Sequence, residues 1–336
     1  ITSGIAAGYQ FATNTAQGTP EIENLAAIKK DNSEEIAEQS DPEDLSKIFW
    51  KEETAVCVLK YSDGLKSYEE EFTSIQAAVN RAGEITSTSD FIIEMLKDCE
   101  LSGQAGQKYA VNIPGANKNI TFTTSSKYAG TAIIKRADGF SGKLFEIGPN
   151  GSGQYTLNVT FDNIILDGNM GENPTDSLIK ATGSGSDGIV NLTLGKEGGE
   201  NYPVLQNNLA SFSLTQGGGA IFLTGNVNLN VYSGQIINNK SEGFGGAIFN
   251  ADGNAGNITL YDALITGNSS VWPGGGVYDG RSGSNLAPIN VGGSLRVYDN
   301  YEGDSESKKP NNIFTYNYYN NPIINLNKPL TSTSDI

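Results

Sequence analysis

Apolar and polar residues alternate in short runs along most of the chain, as in Val227-Asn228-Leu229-Asn230-Val231 and Asn257-Ile258-Thr259-Leu260-Tyr261. A period of two predicts strands with one buried face. Ala55-Val56-Cys57-Val58-Leu59 and Phe91-Ile92-Ile93-Glu94-Met95-Leu96 read as strands too. Between them the period changes. Ile75, Ala78, Val79 and Ala82 fall at i, i+3, i+4 and i+7, one face of a helix. Thr73 with Gln76 three residues on reads as its capping box, and Gly83 is placed to end it.

The strands recur with a repeat. Leu166-Asp167-Gly168-Asn169, Leu205-Gln206-Asn207-Asn208, Ile236-Ile237-Asn238-Asn239, Ile265-Thr266-Gly267-Asn268 and Val297-Tyr298-Asp299-Asn300 share one pattern. An aliphatic residue opens each, Gly, Asn or Asp stands third, and Asn closes it. The third place tolerates positive φ, so the chain turns there. The closing Asn169, Asn208, Asn239, Asn268 and Asn300 are then expected to stack as a buried amide ladder, which satisfies polar groups that are otherwise costly to bury. The last four turns are each followed by a corner: Gly218-Gly219-Ala220-Ile221-Phe222, Gly245-Gly246-Ala247-Ile248-Phe249, Gly275-Gly276-Val277-Tyr278, and Asn311-Asn312-Ile313-Phe314. Repeats of about 30 residues that each carry several short strands fit the coils of a β-solenoid better than propeller blades of ~40 residues. The fold class expected is all-β: a single-stranded right-handed parallel β-helix, with a short N-terminal helical extension and an amphipathic capping helix. A solenoid exposes the interior of its first coil, and a helix at residues 75–82 would cover it.

The expected organisation is an acidic, partly helical extension over residues 1–54, the β-helix with its cap over 55–330, and a tail or linker over 331–336. In the extension, Thr19-Pro20-Glu21 reads as one helix start and Asp41-Pro42-Glu43-Asp44, ahead of Leu45, Ile48 and Phe49, as a second. Longer loops are expected between Gly183 and Pro203 and between Glu302 and Pro310.

Composition narrows the function classes. The formal charge is −16, with no basic cluster to hold phosphates, so nucleic acid is not an expected partner and neither is anionic lipid. No apolar run is long enough to span a bilayer, so membrane insertion is not expected. The 41 glycines exceed the usual share, as a turn-rich fold requires. The chain contains no histidine, which removes His-based triads, His-containing zinc sites and a histidine base. Cys57 and Cys99 leave both a disulfide and two free thiols open. The chain begins at Ile1 rather than Met, consistent with removal of a leader.

The Gly-Gly-Ala-Ile and Gly-Gly-Gly-Val-Tyr corners, with the Ile-Thr-Gly-Asn and Ile-Asn-Asn turns, resemble the pectate-lyase-like right-handed β-helices of large adhesin-like surface proteins of Gram-positive bacteria. Phe72-Thr73-Ser74-Ile75-Gln76-Ala77-Ala78-Val79 is similar to their first-coil helix. The resemblance covers residues 55–330 and implies an extracellular, cell-surface or cell-wall location. It is specific for fold and not for activity.

Enzymes of this fold class act on acidic polysaccharides, with clustered carboxylates beside an Arg or Lys base, or with paired carboxylates. Asp162 and Asp167 share a segment, Asp299 sits at a turn position, Arg296 shares an outward face with Tyr298, and Arg281 reads as a solvated loop residue. These assemble into no catalytic site, and no catalytic residue, metal or cofactor is assigned. Aromatic residues give a better lead. Trp272, Tyr278, Tyr298 and Tyr301 lie on the last coils, followed by Tyr316, Tyr318 and Tyr319, and aromatic rings stack on sugars and anchor interfaces. The expectation is a monomeric, non-enzymatic surface or secreted module, an adhesin or stalk whose partner is a host or plant glycan or a surface protein. The alternative is a lyase or glycoside hydrolase acting on uronate-containing polysaccharide.

Overall fold

The structure is a computed structural model. It describes residues 54–335 apart from 104–105, 150, 152, 185–186, 212–216, 252, 282–287, 305 and 317–323, together with the strands Glu35–Glu38 and Phe49–Glu52. The chain forms two compact units, Ile1–Ala55 and Val56–Ile336. In the first, Glu35–Glu38 pairs antiparallel with Phe49–Glu52. The helix start at Thr19 and residues 41–48 of the second expected helix lie outside the described residues. Phe49, expected on that second helix, begins a strand instead.

The second unit is a right-handed-type parallel β-helix of about seven turns. With 48% strand and 4% helix among the described residues, the fold is all-β. The right-handed sense is the one that twisted strands impose on parallel crossovers. The coils visit their sheets in a fixed order, I, II and IV in the first three and I, II, III and IV from the fourth on. Sheet I has ten strands, eight of them stacked in parallel, as in Lys118–Thr124, Gly188–Leu194 and Val227–Val231. Sheet II has seven short strands, among them Ile165–Asp167 and Arg296–Tyr298. Sheet III starts only at Leu209–Ala210 and has five strands. Sheet IV has seven, from Tyr109–Ile113 to Ile313–Thr315. Coil-to-coil register is regular, so side chains of one kind stack on their equivalents: Leu157, Val190 and Val227 align inward, and Asn158, Asn191 and Asn228 outward. The interior is a single aliphatic column with a cluster of Phe122, Phe145 and Phe161 in its second and third coils.

The N-terminal end is closed by a hairpin and a helix. Cys57–Ser62 pairs antiparallel with both Ser67–Phe72 and the first coil strand Asp90–Met95, which extends sheet I. Helix α1 spans Ile75–Glu84 and buries Ile75, Ala78, Val79 and Ala82, the face the periodicity predicts. Its cap sits one residue later than expected: Ser74, not Thr73, accepts from the Ala77 amide. Gly83 lies inside the helix, and Ile85 is the C-cap. Gln76 is therefore free for another task. Its side-chain amide donates to the Asn112 carbonyl at 3.1 Å and accepts from the Asn112 amide at 2.6 Å. A single side chain thus supplies the two bonds that a neighbouring strand would make to the edge of sheet IV. Cys57 and Cys99 are free thiols. Burial pushes each up to about 12, so both are neutral at physiological pH.

The turn after sheet II carries the asparagine ladder. Asn208, Asn239, Asn268 and Asn300 are fully buried. The residue before each has positive φ: Asn207 at 55°, Asn238 at 56°, Gly267 at 69° and Asp299 at 52°. Asn239 Nδ2 donates to Asn268 Oδ1 at 3.1 Å, and Asn268 Nδ2 to Asn300 Oδ1 at 2.9 Å. Asn312, from the corner ahead of sheet IV, continues the chain by accepting from Asn300. Asn169 lies outside the stack. It holds the positive φ itself, at 51°, and its amide points to Asp138 and the Arg136 carbonyl. Arg136, 1% exposed, takes the vacated interior position, and its Nη2 donates to Asn208 Oδ1 at 2.9 Å. Gly168 leaves the room, because a Cβ there would stand 2.5 Å from Asn208 Oδ1. The paired glycines of the corners serve close approach as well as turning: a Cβ on Gly219 or Gly246 would collide with the carbonyl oxygen of the next coil's glycine, Gly246 or Gly275.

Candidate binding surface

Sheet IV places one residue of each coil in an outward column. By register it runs Asn112, Glu146, Lys180, Phe222, Phe249, Tyr278, Phe314. The last four rings follow one another. Phe222 stacks on Phe249 with centroids 5.2 Å apart, Phe249 meets Tyr278 at 5.5 Å, and Tyr278 stacks on Phe314 at 5.3 Å. Lys180 closes the near end with its ammonium 5.5 Å from the Phe222 centroid. Phe244, from the turn after sheet III, packs on Phe249 and Tyr278. Phe222 and Phe249 are thereby buried outside the coil, in a second small apolar cluster. Trp272 joins through Phe244, 6.0 Å between centroids, and remains 51% exposed. Tyr316, just past the Phe314 strand, is 50% exposed.

Of the four expected ligand-binding aromatics, Trp272 and Tyr278 are brought together here. Tyr298 is on sheet II and Tyr301 on sheet III, where Lys308 lies 5.6 Å over its ring. Tyr318 and Tyr319 lie outside the described residues. Four phenylalanines, at 222, 244, 249 and 314, carry the cluster and were not singled out. Three had a signal: in each corner the aliphatic residue before the ring points inward, so period two puts Phe222, Phe249 and Phe314 outside.

Of the carboxylates considered for chemistry, Asp162 and Asp167 are held by structural partners. Asp162 pairs with Lys196 at 2.6 Å. Asp167 accepts from the Asn169 amide, Gln206 and Asn207, so it is a turn clamp. Asp299 occupies a positive-φ turn position, with Gly267 but not Gly168 as its counterpart. Arg281, expected to be solvated, is 3% exposed. It makes a two-pronged pair with Asp279, at 2.8 Å on each oxygen, and donates to the Gly256 carbonyl. A fork of this kind needs a planar guanidinium, and burial is affordable only because the charge is matched. Lys143 and Asp176 form a second buried pair at 2.9 Å. Among the described residues no three His, Cys, Asp or Glu converge as a metal site requires. No described helix is long and apolar enough to cross a membrane.

The chain matches no family model, no curated protein and no solved structure.

Proposed function

We propose that this chain is a non-catalytic β-helix module of a cell-surface or secreted protein, an adhesin-like domain that binds a glycan or a surface protein through the aromatic ledge of sheet IV. The observation that carries the reading is the exposure of Trp272 at the margin of a buried ring cluster. An indole fixed from behind by Phe244 presents a large face at little entropic cost, the geometry in which rings stack on sugars or anchor an interface. The regular solenoid behind it is a rigid support of the kind on which binding sites are precise.

Binding of the intact chain on a glycan array, compared with Trp272→Ala and Tyr298→Ala, tests this. The expected result is that Trp272→Ala abolishes binding and Tyr298→Ala does not. Binding unaffected by Trp272→Ala would sink the ledge. The alternative, cleavage of uronate polysaccharide, needs several carboxylates and a base converging on one outer face. Ultraviolet-absorbing unsaturated products from uronate polymers with calcium present would establish the lyase form of it in place of the binding module.

A further inference from the structure

A groove of about 360 Å³ opens where α1 meets the first strand of sheet IV, at the opposite end of the coil stack from Trp272. In a chain of net charge −16 its lining contains, among the described residues, no Asp, Glu, Lys or Arg. It contains instead the side-chain amides of Gln76, Asn80, Gln107 and Asn112, with the hydroxyl-bearing Ser102 and Tyr109. The volume is within the range of small-molecule sites.

The polar groups of the groove are unequally occupied. Gln76 is fully committed, to Asn80 Oδ1 at 2.8 Å and to both backbone groups of Asn112. The two hydrogen bonds to Asn112 lock α1 to the strand and fix the groove's shape. Asn112 is therefore held by its backbone, while its side-chain Oδ1 is buried and has no hydrogen-bond partner. A buried acceptor left unmet costs about 1–3 kcal/mol, which a ligand donor would recover. Asn80 spends its oxygen on Gln76 and makes no other side-chain bond among the described residues, and Gln107 makes none.

We infer that this groove is a binding site for a neutral saccharide. A charged ligand would lose hydration here without meeting a counter-charge. A purely apolar one would leave the Asn112 oxygen and two carboxamides unmet. Adjacent hydroxyls on a sugar ring both donate and accept, as the carboxamides do, and Leu101 and Tyr109 supply the apolar wall for its C–H faces. The inference rests on reading the chain as a binding module, but it uses none of the sheet IV aromatics.

The test is an amide-shift titration of the intact, isotope-labelled chain with maltotriose and chitotriose as neutral probes and digalacturonate as the charged one. The expected result is shifts confined to residues 74–80, 101–102 and 107–112 with a neutral probe and none there with digalacturonate. Asn112→Ala and, separately, Asn80→Ala weaken binding roughly tenfold or more, the loss of one or two ligand hydrogen bonds. Asn80 is on a helix surface, so its variant keeps the test valid if Asn112→Ala unfolds the cap. Trp272→Ala leaves this binding unchanged. No shift with either neutral probe overturns the inference. Shifts that appear only around Trp272 overturn it while leaving the binding-module reading standing. Shifts at the groove in a chain whose Trp272 face binds nothing leave the inference standing and remove the ledge.

Discussion

The fully buried side chain of Asn268 makes five hydrogen bonds. Its Nδ2 donates to the carbonyls of Thr266 and Ile236 and to Asn300 Oδ1, while its Oδ1 accepts from the amide and the side chain of Asn239. Replacing it with alanine strands groups in three coils. Asn268→Ala is therefore expected to cost about 3 kcal/mol or more in urea denaturation. Asn169→Ala removes only exposed or half-buried bonds and adds the strain of alanine at positive φ, a cost of about 1 kcal/mol or somewhat more. Equal costs at the two positions would show that the ladder is not the stabilising element. The ladder was legible where each coil repeats one turn, because an aliphatic, a positive-φ residue and Asn recur at fixed offsets. It was misread at Asn169 for a physical reason. There the aliphatic-to-asparagine spacing is the same, but the turn falls one residue later and a guanidinium from another coil fills the ladder position. No local pattern announces that substitution. Arg281 was misread for a similar reason: its partner Asp279 is two residues away, but the burial that makes the pair matter comes from the neighbouring coil.

Between α1 and the hairpin lies one clasp. Arg81 Nε and Nη2 bond the two oxygens of Glu70 at 2.9 and 3.2 Å, and the Tyr61 hydroxyl donates to Glu70 at 2.6 Å. The Arg81 guanidinium first, then Tyr61, hold the Glu70 carboxyl below its ordinary range. A carboxylate depressed in the folded state contributes its stabilisation in full above the unfolded-state value and loses it as the pH falls through the folded one. The clasp therefore weakens below about pH 4, the ordinary glutamate range. The protection factors of the α1 amides, corrected for the slower intrinsic exchange in acid, are expected to fall before those of the central coils. Glu70→Gln is expected to raise exchange at neutral pH and to flatten the acid step. An acid profile unchanged by Glu70→Gln would assign the step to another group. The helix and its buried face were readable from the sequence because the 3.6-residue period is interrupted by nothing. The first two coils were not, since their turns after Leu101 and Arg136 lack the closing asparagine, and only the sheet register shows them.

Across the whole molecule the two ends of the solenoid differ. In a stacked-coil fold each coil is stabilised chiefly by its neighbours, so an end without a cap is the weakest place. The N-terminal coil is covered by α1, locked by Gln76 and extended by the hairpin. At the other end the strand Ile324–Leu330 continues sheet I, and Ile324 and Leu326 align with the interior residues Ile289 and Val291. Yet Ile324 is 44% and Leu326 58% exposed, where their counterparts one coil earlier are buried. Residues 331–335 give this strand some hold, through the Thr331 and Asp335 amides on the carbonyls of Gly293 and Leu295. The sequence alone hides this asymmetry, because Ile324-Asn325-Leu326-Asn327 has the same alternation as any buried strand. Native-state hydrogen exchange is accordingly expected to rank the backbone by position, with 324–335 opening first and at a small fraction of the global free energy, and strands 155–161, 188–194 and 227–231 last. Replacing Leu326 with serine should then leave global stability within about 0.5 kcal/mol, as at other exposed positions, whereas Leu194→Ser, its equivalent deep in the stack, should be destabilising by several kcal/mol. Uniform protection from the first coil to the last strand, or a large cost at Leu326, would mean that this end is covered in solution, and analytical ultracentrifugation would then show whether a second copy covers it.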